Sequence, residues 1–146
     1  MSDPLVLLVQ FAATWTMVGI IWFVQVVHYP LFARVDGPSS GTYAVENQRR
    51  TTWVVGLPMA AEGVTALWLV ASPPRGLGRL LPAVGLVLLA VVLGSTVLVQ
   101  VPAHARLVDG HDPATVRRLV AGNWVRTAGW TARGALVAAM VLLAAR

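Results

Sequence analysis

Four long apolar runs dominate this chain, and each is interrupted or closed by polar side chains that hydrocarbon tolerates badly. They lie at about Leu5–Tyr29, Trp53–Ala71, Leu80–Val101 and Arg117–Leu143. A helix needs about 20 such residues to cross a ~30 Å hydrocarbon core. Inside that core a helix satisfies its own backbone donors and acceptors, so runs of this length read as spanning helices. The expected fold is all-α: one integral membrane domain, residues 1–146, forming an antiparallel four-helix transmembrane bundle. Only 12% of residues are charged and 57% are hydrophobic, against about 25% charged in an ordinary soluble domain. The first run is too long for a signal-peptide core and has no basic stretch before it, so it is expected to remain as a span.

Proline and glycine punctuate the runs. Pro30 and Pro102 are expected to end the first and third helices, and Pro58 to kink the second. Ser72-Pro-Pro-Arg-Gly76 makes a short connection, so helices two and three should be antiparallel neighbours. Asp112 followed by Pro113 is an N-cap and first-turn signal for the fourth helix. Ser39 or Ser40 can cap an amphipathic extension of helix two, with Tyr43, Asn47, Arg50 and Val54 at helical spacing.

All eleven basic residues are Arg, an ordinary composition for a GC-rich bacterial genome. The net charge of +5 is accounted for by Arg flanking the spans, and nucleic acid is not an expected partner. One end of the bundle collects Arg34, Arg49, Arg50, Arg106, Arg117 and Arg118, and the other Arg75, Arg79 and Arg146. The richer end is expected in the cytoplasm of a bacterial inner (plasma) membrane, with both termini together on the opposite side. The chain has no cysteine, which removes thiolate nucleophiles and thiolate metal ligands.

The polar residues within the runs are the candidate site, because ionisable groups in a bilayer are functional-site hypotheses by default. Counting helical rise at ~1.5 Å per residue places His28, Tyr29, Arg50, Gln100, His104, Asn123 and Arg126 near the Arg-rich interface. The same count puts Glu62 and Arg133 deeper, so the expected shape is a funnel with those two at its floor. Asn123, Arg126, Trp130 and Arg133 share one stripe of the fourth helix. Trp15, Trp22, Gln25 and Tyr29 share one on the first, and Trp22 and Trp130 are candidate cavity walls.

Three chemistries fit these residues. His28, His104 and Glu62 form a ligand set suited to non-haem iron, zinc or copper, although Glu62 reads as deeper than the two His. His28 and His104 can alternatively flank a haem, with Arg50 or Arg126 on its propionates. Without any metal or haem, Arg126 and Arg133 can hold an anionic aromatic or quinone-like molecule while His28 or Glu62 removes a proton. Two non-enzymatic classes compete: a homo-oligomer moving protons or small ions past Glu62 and Arg133, and a structural subunit whose polar groups only bind helices together.

The pieces Trp22-Phe-Val-Gln-Val-Val-His28-Tyr-Pro-Leu-Phe32, Pro58-Met-Ala-Ala-Glu62, Gln100-Val-Pro-Ala-His104 and Asn123-Trp-Val-Arg126-Thr-Ala-Gly-Trp130 occur with Arg49-Arg50 and Arg133. Together they resemble a family of small bacterial four-helix membrane proteins. More distantly the chain is similar to anthrone-oxygenase-like membrane proteins, which oxidise polycyclic phenols. The resemblance implies an oxygenase-like membrane oxidoreductase acting on a lipophilic small molecule.

Overall fold

The structure, a computed structural model, describes residues 3–32, 34–35, 40–108 and 112–145. Helix α1 runs as α-helix over Asp3–Phe23, widens to a π-helical turn over Val24–His28, and returns to α-helix over Tyr29–Phe32. Helix α2 is Ser40–Ala71. Helix α3 repeats the α1 pattern, with α-helix over Leu80–Ser95, a π-helical turn over Thr96–Gln100 and α-helix over Val101–Val108. Helix α4 is Pro113–Ala144. All four are long and apolar enough to cross a membrane. Their outward faces carry Trp53, Leu57, Val87 and Leu98, an apolar surface suited to lipid and not to water.

Helix α2 continues through Pro58, and its 32 residues reach about 48 Å at the ~1.5 Å helical rise. That exceeds a ~30 Å hydrocarbon core, so the amphipathic start of α2 is an extension of the spanning helix. Asp112 caps α4 as expected, accepting from the amides of Ala114 and Thr115 at 3.1 and 3.0 Å. The Thr115 hydroxyl, followed by these amides, holds the Asp112 carboxyl below its ordinary range.

The expected stops at Pro30 and Pro102 do not occur, and the π-helical turns give the reason. A proline removes one backbone donor, and its ring crowds the carbonyl four residues back. Here the amide just before each proline already bonds five residues back, Tyr29 to Val24 O and Val101 to Thr96 O. Each turn is wide enough for the chain to stay helical past the ring. It also contains one residue more than an α-turn, so side chains four apart stay on one face. Ile21, Gln25 and Tyr29 are consequently all buried, as are Val92 and Gln100 on α3.

The helices form a square ring in which α1 packs on α2 and α4, and α3 on the same two helices. Neighbouring helices run antiparallel: Thr14 meets Glu62, Trp22 meets Thr131, and Gln100 meets Leu119. Between Ala71 and Leu80 the chain reverses through Gly76 and Gly78, whose positive φ angles of 82° and 61° disfavour residues with a Cβ. Gly41 lies so close to the Val108 carbonyl that a Cβ there would collide with it. The interior alternates along the bundle axis. Val6, Leu7, Leu69 and Met140 form one apolar layer, Met17, Val18, Ile21, Val92 and Trp130 a second, and Ala44, Leu107 and Val116 a third. Two polar layers fill the gaps, and the candidate site residues other than Arg50 are in them or beside them.

Candidate functional site

The deeper polar layer is built on Glu62. Its Oε1 accepts from Thr14 Oγ1 at 2.6 Å and from Arg133 Nε at 2.9 Å, and its Oε2 accepts from the Trp130 indole at 2.9 Å. Arg133 also donates to the Gly85 carbonyl. Gln10 extends the network, donating to Thr14 at 2.9 Å and accepting from Thr65 at 2.8 Å. Glu62 is 0% exposed and Arg133 1%. One carboxylate thus ties side chains of α1 and α4 to α2, while Arg133 reaches α3. Charge, burial and hydrogen bonding are all matched here, as an ion pair inside hydrocarbon requires.

The second polar layer sits at the two π-helical turns. Each turn delivers a buried glutamine whose amide donates to a carbonyl of α4: Gln25 to Val120 O and Gln100 to Leu119 O, both at 3.4 Å. With its nitrogen turned that way, the Gln100 oxygen faces Tyr29 and accepts the phenol hydrogen at 3.1 Å. His104 Nε2 lies 3.2 Å from the same phenol oxygen. Because the one phenol hydrogen is already given to Gln100, His104 is the donor in that bond and carries its hydrogen on Nε2. On the other side Gln25 Oε1 accepts from Asn123 at 2.8 Å, and Asn123 Oδ1 accepts from Arg126 at 3.1 Å. The Arg126 guanidinium stands beside Tyr29 and over the Trp130 ring, 5.4 Å from its centroid.

A cavity of about 140 Å³ opens onto this layer. Its polar wall includes His28, Tyr29, Gln48, Gln100, His104 and Arg126, and its apolar wall includes Met17, Ile21, Val24 and Met59. Gln48, Thr51 and Thr52 line it while remaining exposed, so it opens past α2 at the Arg-rich end of the bundle. The volume is close to the ~150 Å³ of an engineered cavity that takes up benzene.

The structure gathers His28, Tyr29, Gln100, His104 and Arg126 at the cavity, and sets Asn123 behind Arg126 as its hydrogen-bond partner. Arg50 is elsewhere: it points outward and pairs with Glu46 at 2.6 Å. The funnel is also corrected, since Glu62 and Arg133 do not line the cavity. Met17 and Ile21, from the middle apolar layer, close its floor above them. Neither Trp22 nor Trp130 walls it; Trp22 is 41% exposed and bonds Thr131 on the outer face, while Trp130 is buried between Glu62 and Arg126. The residues missed from sequence are Gln10, Thr14 and Thr65 in the deep layer, and Gln48, Thr51 and Thr52 at the mouth. The available signal was Gln10 and Thr14 four apart within an otherwise apolar run.

The expected three-ligand metal site does not form. Among the described residues no three His, Asp or Glu side chains come together, because the Glu62 carboxylate is held by Thr14, Trp130 and Arg133. Haem fits no better. The Tyr29 ring lies 5.8 Å from the His28 ring and 6.0 Å from that of His104, centroid to centroid. His104 is already engaged by the Tyr29 hydroxyl. The cavity also holds roughly one aromatic ring, far less than a tetrapyrrole.

Comparison with protein-family models, curated proteins and solved structures finds no match to this chain.

Proposed function

We propose that this protein binds a lipophilic molecule through an oxygen-bearing aromatic or quinoid ring and acts on that ring as a small membrane oxidoreductase. The observation that carries the reading is the divided wall of the cavity. A ring entering past α2 meets Met17, Ile21, Val24 and Met59 on one side. Its oxygen substituent meets His28, Tyr29, His104 and Arg126 on the other. The apolar wall favours the ring by the area it removes from water, and the polar wall fixes its orientation.

The two imidazoles can exchange a proton with a ring hydroxyl held at that wall. Tyr29 and Gln100 act as positioning residues for His104, fixing which nitrogen carries its hydrogen. A phenol gives up protons as it is oxidised, so a base beside the hydroxyl suits that conversion. The electrons pass to an external acceptor such as dioxygen or a second quinone. On this reading the cavity mouth faces the cytoplasm from a bacterial inner membrane, as the Arg distribution suggests. Glu62 and Arg133 hold the helices in place beneath the cavity.

Binding tests the proposal directly. Full-length protein in nanodiscs should bind a short-chain benzoquinone or its hydroquinone saturably in titration calorimetry. Met59→Trp, which fills the cavity from α2, should abolish that binding while the fold survives by circular dichroism. Binding that is unchanged by Met59→Trp, or absent from the wild type, refutes the site.

A further inference from the structure

We propose that the ring carries an anionic head, a carboxylate or a phenolate, and that Arg126 is its counter-ion. This rests on the ring-binding reading and adds to it the charge of the ligand. Among the described residues, the side chains lining the cavity include one guanidinium, two imidazoles, hydroxyls and amides, and no carboxylate. The acids whose side chains are described are committed elsewhere. Glu62 pairs with Arg133, Glu46 with Arg49 and Arg50, and Asp112 caps α4.

Among the described residues, the contacts of Arg126 are with neutral groups. NH1 donates to the amide oxygen of Asn123 at 3.1 Å, the Tyr29 hydroxyl lies alongside, and the Trp130 ring lies beneath. Its Nε is buried without a hydrogen bond. The Trp130 indole donates to the Glu62 carboxylate, which draws the indole hydrogen toward the acid and enriches the ring face under Arg126. Dipoles and a ring face orient a guanidinium but leave its charge uncancelled. The Glu62 charge is already met by Arg133. A cation held at the wall of a ring-sized cavity beside lipid therefore selects an anion, which makes charge-assisted hydrogen bonds of roughly twice the ordinary strength.

Two probes of one shape and different charge test this: pentylbenzoate and pentylbenzamide, titrated at neutral pH into the full chain in zwitterionic nanodiscs. Both should saturate the site, the benzoate about tenfold more tightly, the ratio expected when one charge-assisted contact is added. Arg126→Gln should erase the preference by weakening benzoate binding far more than benzamide binding, and Arg126→Lys should retain part of it. Equal binding of the two probes by the wild type overturns the anionic head while the ring site stands. Failure of both to bind overturns the ring site itself. The wild-type ratio decides the matter even if the Arg126 variants do not fold. Repeating the titration with phosphatidylglycerol in the bilayer identifies the source of the anion: competition assigns the site to a lipid headgroup, and undisturbed benzoate binding to a free ring acid.

Discussion

The two polar layers of this bundle use similar side chains to opposite ends. The Glu62 layer contains a full ion pair, yet it is sealed, and each carboxylate oxygen has a donor. The Tyr29–His104–Arg126 layer has weaker individual contacts, is open to a cavity, and carries a cation with no acid beside it among the described residues. Ionisable groups within a bilayer therefore do not mark a site by their charge alone. What distinguishes the two layers is whether their bonding capacity is used up. The saturated layer holds helices together, and the unsaturated one has capacity left for a ligand. Trp130 belongs to both, its N–H on Glu62 and its face under Arg126.

The largest expected effect tests the sealed layer. Glu62→Gln leaves the Arg133 guanidinium buried without its counter-charge, and breaking a buried pair in this way costs about 3–5 kcal/mol. Arg133→Met should cost a similar amount. The double variant should lose clearly less than the sum, because it removes both charges together. Unfolding in mixed detergent micelles measures all three. If Glu62→Gln is nearly neutral but abolishes binding of the ring probes, the assignment of the two layers is reversed.

Next in size is Trp130→Phe, which keeps an aromatic face under Arg126 and deletes the donor to Glu62 Oε2. An acceptor left unsatisfied in a sealed interior costs about 1–3 kcal/mol. Double-mutant cycles in membranes favour the lower end of that range. Affinity for the ring probes should change little.

The facing of α4 was the most legible part of both layers from sequence, and the reason is periodicity. Asn123, Trp130 and Arg133 share the inner face of α4 because that helix is regular, so counting at 100° per residue finds it. On α1 the same counting puts Trp15 and Trp22 in line with Tyr29 and the interior. Both tryptophans are instead more than 40% exposed, because the wide turn over Val24–His28 shifts the register by one residue. The four long helices were legible from hydropathy alone. Continuation past Pro30 and Pro102 was not, since propensity treats proline as a stop and takes no account of a wide turn before it. The depth count separated Glu62 from the two His, but it could not show that Met17 and Ile21 close the space between them.

Tyr29→Phe makes a deletion comparable to Trp130→Phe, one polar hydrogen from a buried aromatic, but in the open layer. It removes the partner of both Gln100 Oε1 and His104 Nε2. Water can reach a polar cavity of this size and replace the lost bonds. The stability loss should therefore stay near 1 kcal/mol, the net worth of one hydrogen bond. Binding should suffer more than stability, because His104 is no longer fixed in one tautomer. A stability loss exceeding that of Trp130→Phe would mean the open layer is as dry as the sealed one.

Arg50→Gln marks the outer limit of the open layer. Sequence places Arg50 with the cavity residues, but its side chain is 77% exposed and pairs with Glu46 one helical turn away. An exposed pair at this spacing contributes only a small, solvent-screened increment, and Glu46 keeps a second partner in Arg49. Stability should fall by no more than that, and the preference for pentylbenzoate over pentylbenzamide should be unchanged. The comparison with Arg126→Gln is then between two arginines near one membrane level, one with an acid and facing outward, the other facing the cavity with no acid among the described residues. If Arg50→Gln removes the preference, the anion is held outside the bundle, and the unsaturated layer ends at Arg126 without using its charge.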